Sequence, residues 1–216
     1  YSSFVNGGKK VNSNLITRIQ DRRGKTIYKL SNKKCVGCDK FQNDSKILPS
    51  ITNINERVIS EETAYQMTSI LEGVVKRGTG KKLRDLKVPL AGKTGTTNNN
   101  YDAWFIGFSS NLVIGVYIGF DNPQTLGKFE TGSKAALPIF KDFVKNALYK
   151  EDFKEFNIPE GIFLTSLNYD TGNKSSLNDK NTIIEALKPR DINNLNNNKL
   201  ISVESYDRLI KYRQFY

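Results

Sequence analysis

Lys93, Thr94, Gly95, Thr96 and Thr97 stand in direct succession, behind Ala91-Gly92 and ahead of Asn98. A cation, a glycine and three hydroxyls in so short a run suit two chemistries. One is a phosphate loop, in which consecutive backbone N–H groups wrap an anion. The other is acyl transfer, in which a lysine stands beside a nucleophile and a strand edge holds the substrate. The phosphate loop needs a glycine five residues ahead of Gly92, and Lys87 occupies that place. Pro89, inside the same stretch, has no N–H to offer. Gly95 and Asn98 to Asn100 also open a helix poorly. The spacing therefore counts against the phosphate loop and leaves acyl transfer beside an ordinary turn or strand start, a choice that rests on the flanks. In acyl transfer Lys93 puts a positive charge beside the nucleophile. Gly95 clears a side chain from the path of a substrate lying along the strand. The hydroxyls and edge N–H groups then bind its carboxylate and carbonyl.

Composition narrows the rest. The 216 residues are 38% hydrophobic and 11% aromatic, enough for one good core or two small ones. No run of about eighteen apolar residues is present to span a membrane. Tyr1-Ser2-Ser3-Phe4 lacks the basic flank and apolar core of a signal peptide, and the chain reads as a piece of something longer. The net charge is +11. The lysines are spread out and no aromatic–basic interleaving accompanies them, so a nucleic-acid partner is not expected. Histidine is absent, which excludes histidine-based catalysis and histidine-ligated metal within these residues. No metal and no cofactor are expected. Cys35 and Cys38 are half of a zinc site at most, and read either as a local disulfide, if the chain is exported, or as an unbridged surface pair.

The elements that must position the lysine run can be read on either side of it. Tyr1 to Gly8 reads as the end of a helix stopped by Gly7-Gly8. Leu15 to Gln20 and Thr26 to Leu30 alternate in polarity around Gly24 and predict a β-hairpin. Residues 31–54 show no period and read as an irregular inserted loop. Ser60 is a good N-cap, with Glu61 and Glu62 at the positive end of the helix that follows. Ala64, Met67, Ile70, Leu71, Val74 and Val75 predict its buried face, and Gly78 and Gly80 its end. After Asn100, Ala103 to Phe108 and Leu112 to Phe120 predict two strands joined at Ser109-Ser110-Asn111, with Lys93 to Thr97 as a third. Their near-continuous apolarity predicts cover on both faces. Trp104 is expected in the core. Ser133 to Tyr149 predicts a second helix, with Pro138 in its first turn and Ile139, Phe140, Phe143, Val144, Ala147 and Leu148 inward. Further on, Phe163 to Asn168 predicts a short strand and Asp170 to Asn173 a turn. The asparagine-rich tail from Asp191 is expected to be disordered, with a short helix open at Tyr206 to Tyr216. The divisions expected are 1–150, a C-terminal extension at 151–190, and the tail at 191–216.

With these flanks the lysine run resembles the class A penicillin-binding proteins, the bifunctional cell-wall synthases. Lys-Thr-Gly is one of three motifs of penicillin-recognising serine enzymes, beside S-x-x-K and a Ser-x-Asn type motif. Arg57-Val58-Ile59-Ser60, Ala64 to Ser69, Glu72-Gly73-Val74-Val75 and Arg77-Gly78-Thr79-Gly80 resemble the family's helix before the active-site strand. Leu90 to Asn98 matches its third motif. Asp102 to Phe108 and Val116 to Asp121 resemble its next two strands. The likeness covers roughly 1–148. It implies an α+β fold of the β-lactamase/transpeptidase type, here partial, with an antiparallel sheet packed by helices. It implies a serine D,D-transpeptidase acting on peptidoglycan stem peptides that end in D-Ala-D-Ala, with β-lactams as mimics. It also implies the periplasmic side of the inner membrane, with the anchor and the glycosyltransferase domain elsewhere. By that likeness Lys93 and Thr96 are the catalytic candidates, the Thr96 N–H being one oxyanion donor. Thr94 and Thr96 hydroxyls hold the terminal carboxylate, Gly95 keeps the groove open, and Thr97, Asn98 and Tyr101 line the cleft.

One departure is large. Before Lys93 the only S-x-x-K is Ser31-Asn32-Lys33-Lys34, in a polar segment unlike a helix. Ser109-Ser110-Asn111, Ser166-Leu167-Asn168 and Ser176-Leu177-Asn178 all follow Lys93, in the wrong order. These read as chance, so the chain is expected to be inert alone and to partner the part of the domain that carries the serine. The alternatives are a non-catalytic remnant that binds peptidoglycan or a partner, and a β-lactamase or carboxypeptidase relative.

Overall fold

The computed structural model describes residues 1–31, 33–36, 50–53, 55–149 and 153–196. Thirteen elements organise them: α1 (Ser2–Val5), β1 (Arg18–Gln20), β2 (Thr26–Lys29), β3 (Lys33–Val36), β4 (Ser50–Asn53), α2 (Glu61–Lys76), β5 (Ala91–Thr96), β6 (Ala103–Phe108), β7 (Val113–Ile118), α3 (Ala136–Ala147), β8 (Phe163–Asn168), β9 (Thr182–Leu187) and α4 (Pro189–Asn196). Short 3₁₀ helices at Lys81–Leu86 and Asn98–Asn100 flank β5. The central sheet is antiparallel in the order β5-β6-β7, and β1-β2, β3-β4 and β8-β9 are separate two-stranded ribbons. Among the described residues no helix is long and apolar enough to cross a membrane.

Helix α2 starts where its sequence says it should. The Ser60 hydroxyl accepts the Thr63 N–H at 3.3 Å, and Glu61 and Glu62 occupy the first turn. Replacing Ser60 by alanine orphans that donor, and should lower stability by about 0.5–2 kcal/mol in a denaturant melt. The buried stripe is Ala64, Thr68, Leu71 and Val75. Thr68 tolerates burial because its hydroxyl donates to the Ala64 carbonyl at 3.0 Å. Ile70, expected inward, is exposed. The same rotation is found on α3. Ala136, Leu137, Phe140 and Val144 are buried there, whereas Ile139, Phe143 and Ala147 face outward. Each helix carries apolar residues over a wider arc than the sheet can cover, and the contact chooses one stripe of the arc.

Two clusters make the core. Val75, Leu83, Leu90, Phe105, Ala136, Leu137, Phe140 and Val144 lie between α3 and one face of the sheet. Phe105 and Phe140 meet edge to face at 4.9 Å. Leu71, Ala91, Phe108 and Phe156 form the second, on the other face, at the β6–β7 turn end. Cover on both faces was expected along the whole of β6 and β7, but it extends only part way on the second face. Trp104 and Tyr117 are exposed there. Apolarity marks which residues can be buried, and the placement of the covering helix decides which ones are.

The hairpin around Gly24 forms, with β1 and β2 antiparallel and Gly24 at φ 81°. The inserted stretch is less irregular than expected, since β3 and β4 pair antiparallel from Lys33↔Asn53 to Val36↔Ser50. Cys35 sits on β3. Cys38 lies outside the described residues, as do 197–216 with the Tyr206 to Tyr216 helix. Part of the presumed tail is ordered helix: α4 runs through Asn196, opened by Pro189.

Residues 163–188 pack back on α2. Gln66 donates to the Ala186 carbonyl at 3.1 Å, Lys188 reaches the Thr63 hydroxyl at 2.7 Å, and Arg77 pairs with Glu185. Burial raises the Glu185 carboxyl above its ordinary 4.5, and the opposing pull of Arg77 is the smaller effect. A carboxyl with a raised folded pKa takes up a proton on folding. Its contribution is fully present below 4.5 and is lost as pH rises through the folded value. Glu185→Gln should therefore remove one downward component from unfolding free energy plotted against pH above about 4.5.

Candidate active site

Strand β5 places the lysine run on the rim of the sheet. Ala91 and Gly92, at its start, are buried; Lys93 and Thr96 are exposed, with Thr94 and Gly95 between. Among the described residues only β6 pairs with it, from Ala91↔Phe108 to Thr96↔Ala103. At the end of the strand the Thr97 N–H donates to the Asp102 carbonyl at 3.1 Å. Backbone groups alternate sides along a strand, so the N–H groups of Thr94 and Thr96 point the opposite way, to the unpaired edge. The Lys93 ammonium donates to the Thr94 carbonyl at 2.9 Å, which brings its charge to that same edge. An N–H donor and a cation thus share one open strand edge, the arrangement that stabilises a developing oxyanion beside a carboxylate.

The sequence-derived residues do not all converge. The Thr94 hydroxyl pairs with Thr79 at 3.0 Å, just beyond α2. The Thr96 hydroxyl accepts the Gly132 N–H at 3.0 Å and keeps its own proton to give. Thr97 turns inward to the hairpin: its hydroxyl accepts the Asp102 N–H at 2.8 Å and donates to the Asp102 carboxylate at 3.3 Å. Asn98 and Tyr101 are exposed on the tip. Asn99 and Asn100 take φ of 59° and 53°, a conformation asparagine tolerates.

A strap over residues 125–132 fastens this tip. Thr125 donates to the Asn99 carbonyl at 2.8 Å, the Leu126 N–H to the Asn100 carbonyl at 2.9 Å, and the Asn100 amide to the Gly127 carbonyl at 3.2 Å. Gly132 then crosses the sheet so closely that a Cβ there would lie 2.3 Å from the Trp104 carbonyl and 2.6 Å from that of Gly95. Glycine is required by that approach. Asp102, Tyr117, Thr79 and Gly132 were not singled out by sequence reasoning. Trp104, assigned to the core, is 40% exposed instead. It stands on the face opposite Phe105, stacked on Tyr117 at 4.6 Å. The Tyr117 hydroxyl donates to Asp102 at 2.9 Å, and that bond, more than burial, raises its pKa above 10.0.

The other serine motifs stay away from β5. The Ser31 hydroxyl bonds the Lys33 carbonyl in an extended segment. Ser109 to Asn111 form the β6–β7 turn, at the end of the strands opposite Thr96. Ser166 to Asn168 lie on β8. Two open concavities elsewhere, near 640 and 490 Å³, are lined by Lys81, Arg84 and Leu137 and by Phe4, Tyr65 and Phe156 respectively; neither includes a β5 residue.

Residues 1–145 match the family model of the penicillin binding protein transpeptidase domain. Penicillin-binding protein 1A of Rickettsia felis is 38% identical over 98% of this chain and 27% of its own length. Its namesake from Pseudomonas aeruginosa is 34% identical over 88% of this chain and 27% of its own length. The crystal structure of penicillin-binding protein 1A from Haemophilus influenzae superposes with a TM-score of 0.67 at 29% identity, over 85% of this chain and 30% of that one. The chain thus spans about a quarter of the length of these curated relatives. Strand, strap and helix have the α+β form of that domain, and this chain belongs to the penicillin-binding protein transpeptidase family.

Proposed function

We propose that this chain forms the oxyanion-binding wall of a serine-type D,D-transpeptidase. The observation that carries this is the Thr96 N–H and the Lys93 ammonium on one open edge of β5. The substrate is a stem peptide ending in D-Ala-D-Ala, laid along that edge with its carbonyl oxygen toward the Thr96 N–H. A serine from the rest of the domain attacks the carbonyl between the two D-alanines. The bond to the last D-alanine breaks, the serine proton passes to the leaving amine, and an amine of a second stem peptide later displaces the serine. Lys93 lowers the cost of proton transfer and attracts the terminal carboxylate, which the Thr94 and Thr96 hydroxyls hold. Gly95 leaves room for the peptide, and Asn98 and Tyr101 border it. Penicillins enter as mimics of the D-Ala-D-Ala end. The parent enzyme works on the periplasmic side of the inner membrane. There Cys35 and Cys38 are the candidates for a local disulfide.

An acyl-transfer site needs nucleophile, base and oxyanion donors together. These 216 residues carry one part of that set and are inert alone. Incubation with a fluorescent penicillin tests this: the chain stays unlabelled, and a polypeptide joining it to the family's S-x-x-K segment is labelled. Covalent labelling of the chain itself would assign the nucleophile to one of its own serines and overturn the division of labour.

A further inference from the structure

Gly95, Trp104 and Tyr117 lie in register across β5, β6 and β7, with their side-chain positions on one face of the sheet. Trp104 is 40% and Tyr117 49% exposed, and their rings meet at 4.6 Å with an interplanar angle of 43°. The surroundings keep this pair accessible. Gly95 offers no side chain next to the indole, and Gly115, one row along, has open space above it. At Gly119 a Cβ would collide with the Tyr117 hydroxyl and the Asp102 carboxylate. Glycine there lets the hydroxyl donate to Asp102 at 2.9 Å, which fixes a carboxylate at the rim of the rings. Its other oxygen is bonded by Thr97, the residue after Thr96. The platform is therefore continuous with the strand edge.

Two open aromatic rings beside a held carboxylate suit a ligand with an apolar face and hydroxyls around its edge. A sugar ring has both: its C–H face packs on the rings and its hydroxyls donate to the carboxylate. A purely aliphatic ligand would take water from the Asp102 carboxylate and add no donor to the two it has from Tyr117 and Thr97. Trp104 stands one strand spacing from β5, about 4.8 Å, and Tyr117 about twice that, so one substrate can touch edge and platform together.

We propose that Trp104, Tyr117 and Asp102 form a saccharide subsite, which seats a sugar of the glycan strand bearing the stem peptide. The inference rests on the reading of β5 as the strand that binds that peptide. Trp104 is the single tryptophan of the sequence, so intrinsic emission reports this site directly. The 216-residue chain is titrated with a peptide-free tetrasaccharide of alternating N-acetylglucosamine and N-acetylmuramic acid, and separately with a stem pentapeptide ending in D-Ala-D-Ala. The tetrasaccharide should shift the emission saturably and protect Trp104 from acrylamide quenching. Tyr117→Ala should weaken that binding about tenfold. Tyr117→Phe, which keeps the stack and releases Asp102, should weaken it by less; circular dichroism confirms that both variants remain folded. A flat response to tetrasaccharide in a chain that binds the pentapeptide overturns the subsite and leaves the β5 reading standing. A saturable tetrasaccharide response without pentapeptide binding supports the subsite and counts against the β5 reading. A response unchanged in folded Tyr117→Ala overturns the proposal.

Discussion

Thr96→Pro should cut penicillin acylation by about 10²–10³-fold in the polypeptide that carries both the serine and this chain. The substitution removes the N–H together with the hydroxyl that accepts the Gly132 N–H, and Thr96→Ala, which loses the hydroxyl alone, measures that second loss separately. Thr96↔Ala103 is a pair whose backbone groups do not bond each other, because the neighbouring Thr97 N–H is the one that reaches β6. The lost donor points to the unpaired edge, where proline is tolerated in a strand. Gly95 precedes it and accommodates the restriction proline places on the residue before. The fold should therefore survive while the oxyanion loses a donor, which costs about 2.7–4 kcal/mol in the barrier. Thr96→Ser keeps the N–H and a hydroxyl and should stay close to the parent rate. Stopped-flow acylation with a chromogenic cephalosporin reads both. A loss of less than tenfold in Thr96→Pro, with the melting curve intact, would remove the Thr96 N–H from the mechanism.

Phe140→Ala should lower unfolding free energy by about 3–5 kcal/mol, the range for deleting a buried aromatic ring. Phe140 is wholly buried and meets Phe105 edge to face. Gly107 offers its bare backbone to the same ring: a Cβ there would lie 2.4 Å from it. On the Gly107 side the hole left by alanine has no side chain to collapse into it. For a chain of this length the loss corresponds to a fall in Tm of roughly 6–20 °C. Differential scanning calorimetry checks it. Ile139→Ala is the control on the same helix turn; its side chain is exposed, and it should change stability by less than about 1 kcal/mol. Equal losses in the two variants would mean that α3 is seated differently.

Much of the frame was legible because local chemistry dictates it. The Ser60 cap, the Gly24 hairpin, the three strands around the lysine run and Pro138 at the start of α3 depend on neighbours within a few residues. Orientation was less legible. Ile70, Ile139 and Phe143 are as apolar as the residues that were buried, and no periodicity separates them. The helix at Pro189–Asn196 was hidden by its asparagines, since Lys188 and Asp191 anchor it to α2 through contacts more than a hundred residues away in sequence.

The lysine run together with its flanking helix and strands pointed to the family, because the run alone also suits an ordinary turn or strand start. Together they also determined that β5 would be a strand. Which atoms face the open edge of β5 was decided only by the tertiary structure. Pairing with β6 turns alternate N–H groups to the open edge, so Thr96 becomes a donor there while Thr97 is held within the hairpin by Asp102. The strap from Thr125 to Gly132 fixes that hairpin through bonds across some 30 residues of sequence. Trp104 is the sharpest case. Its size and its neighbours in sequence predict a core residue, but alternation along β6 points Phe105 at α3 and Trp104 away from it. Burial is a property of what lies opposite a side chain, and that partner comes from a distant part of the chain.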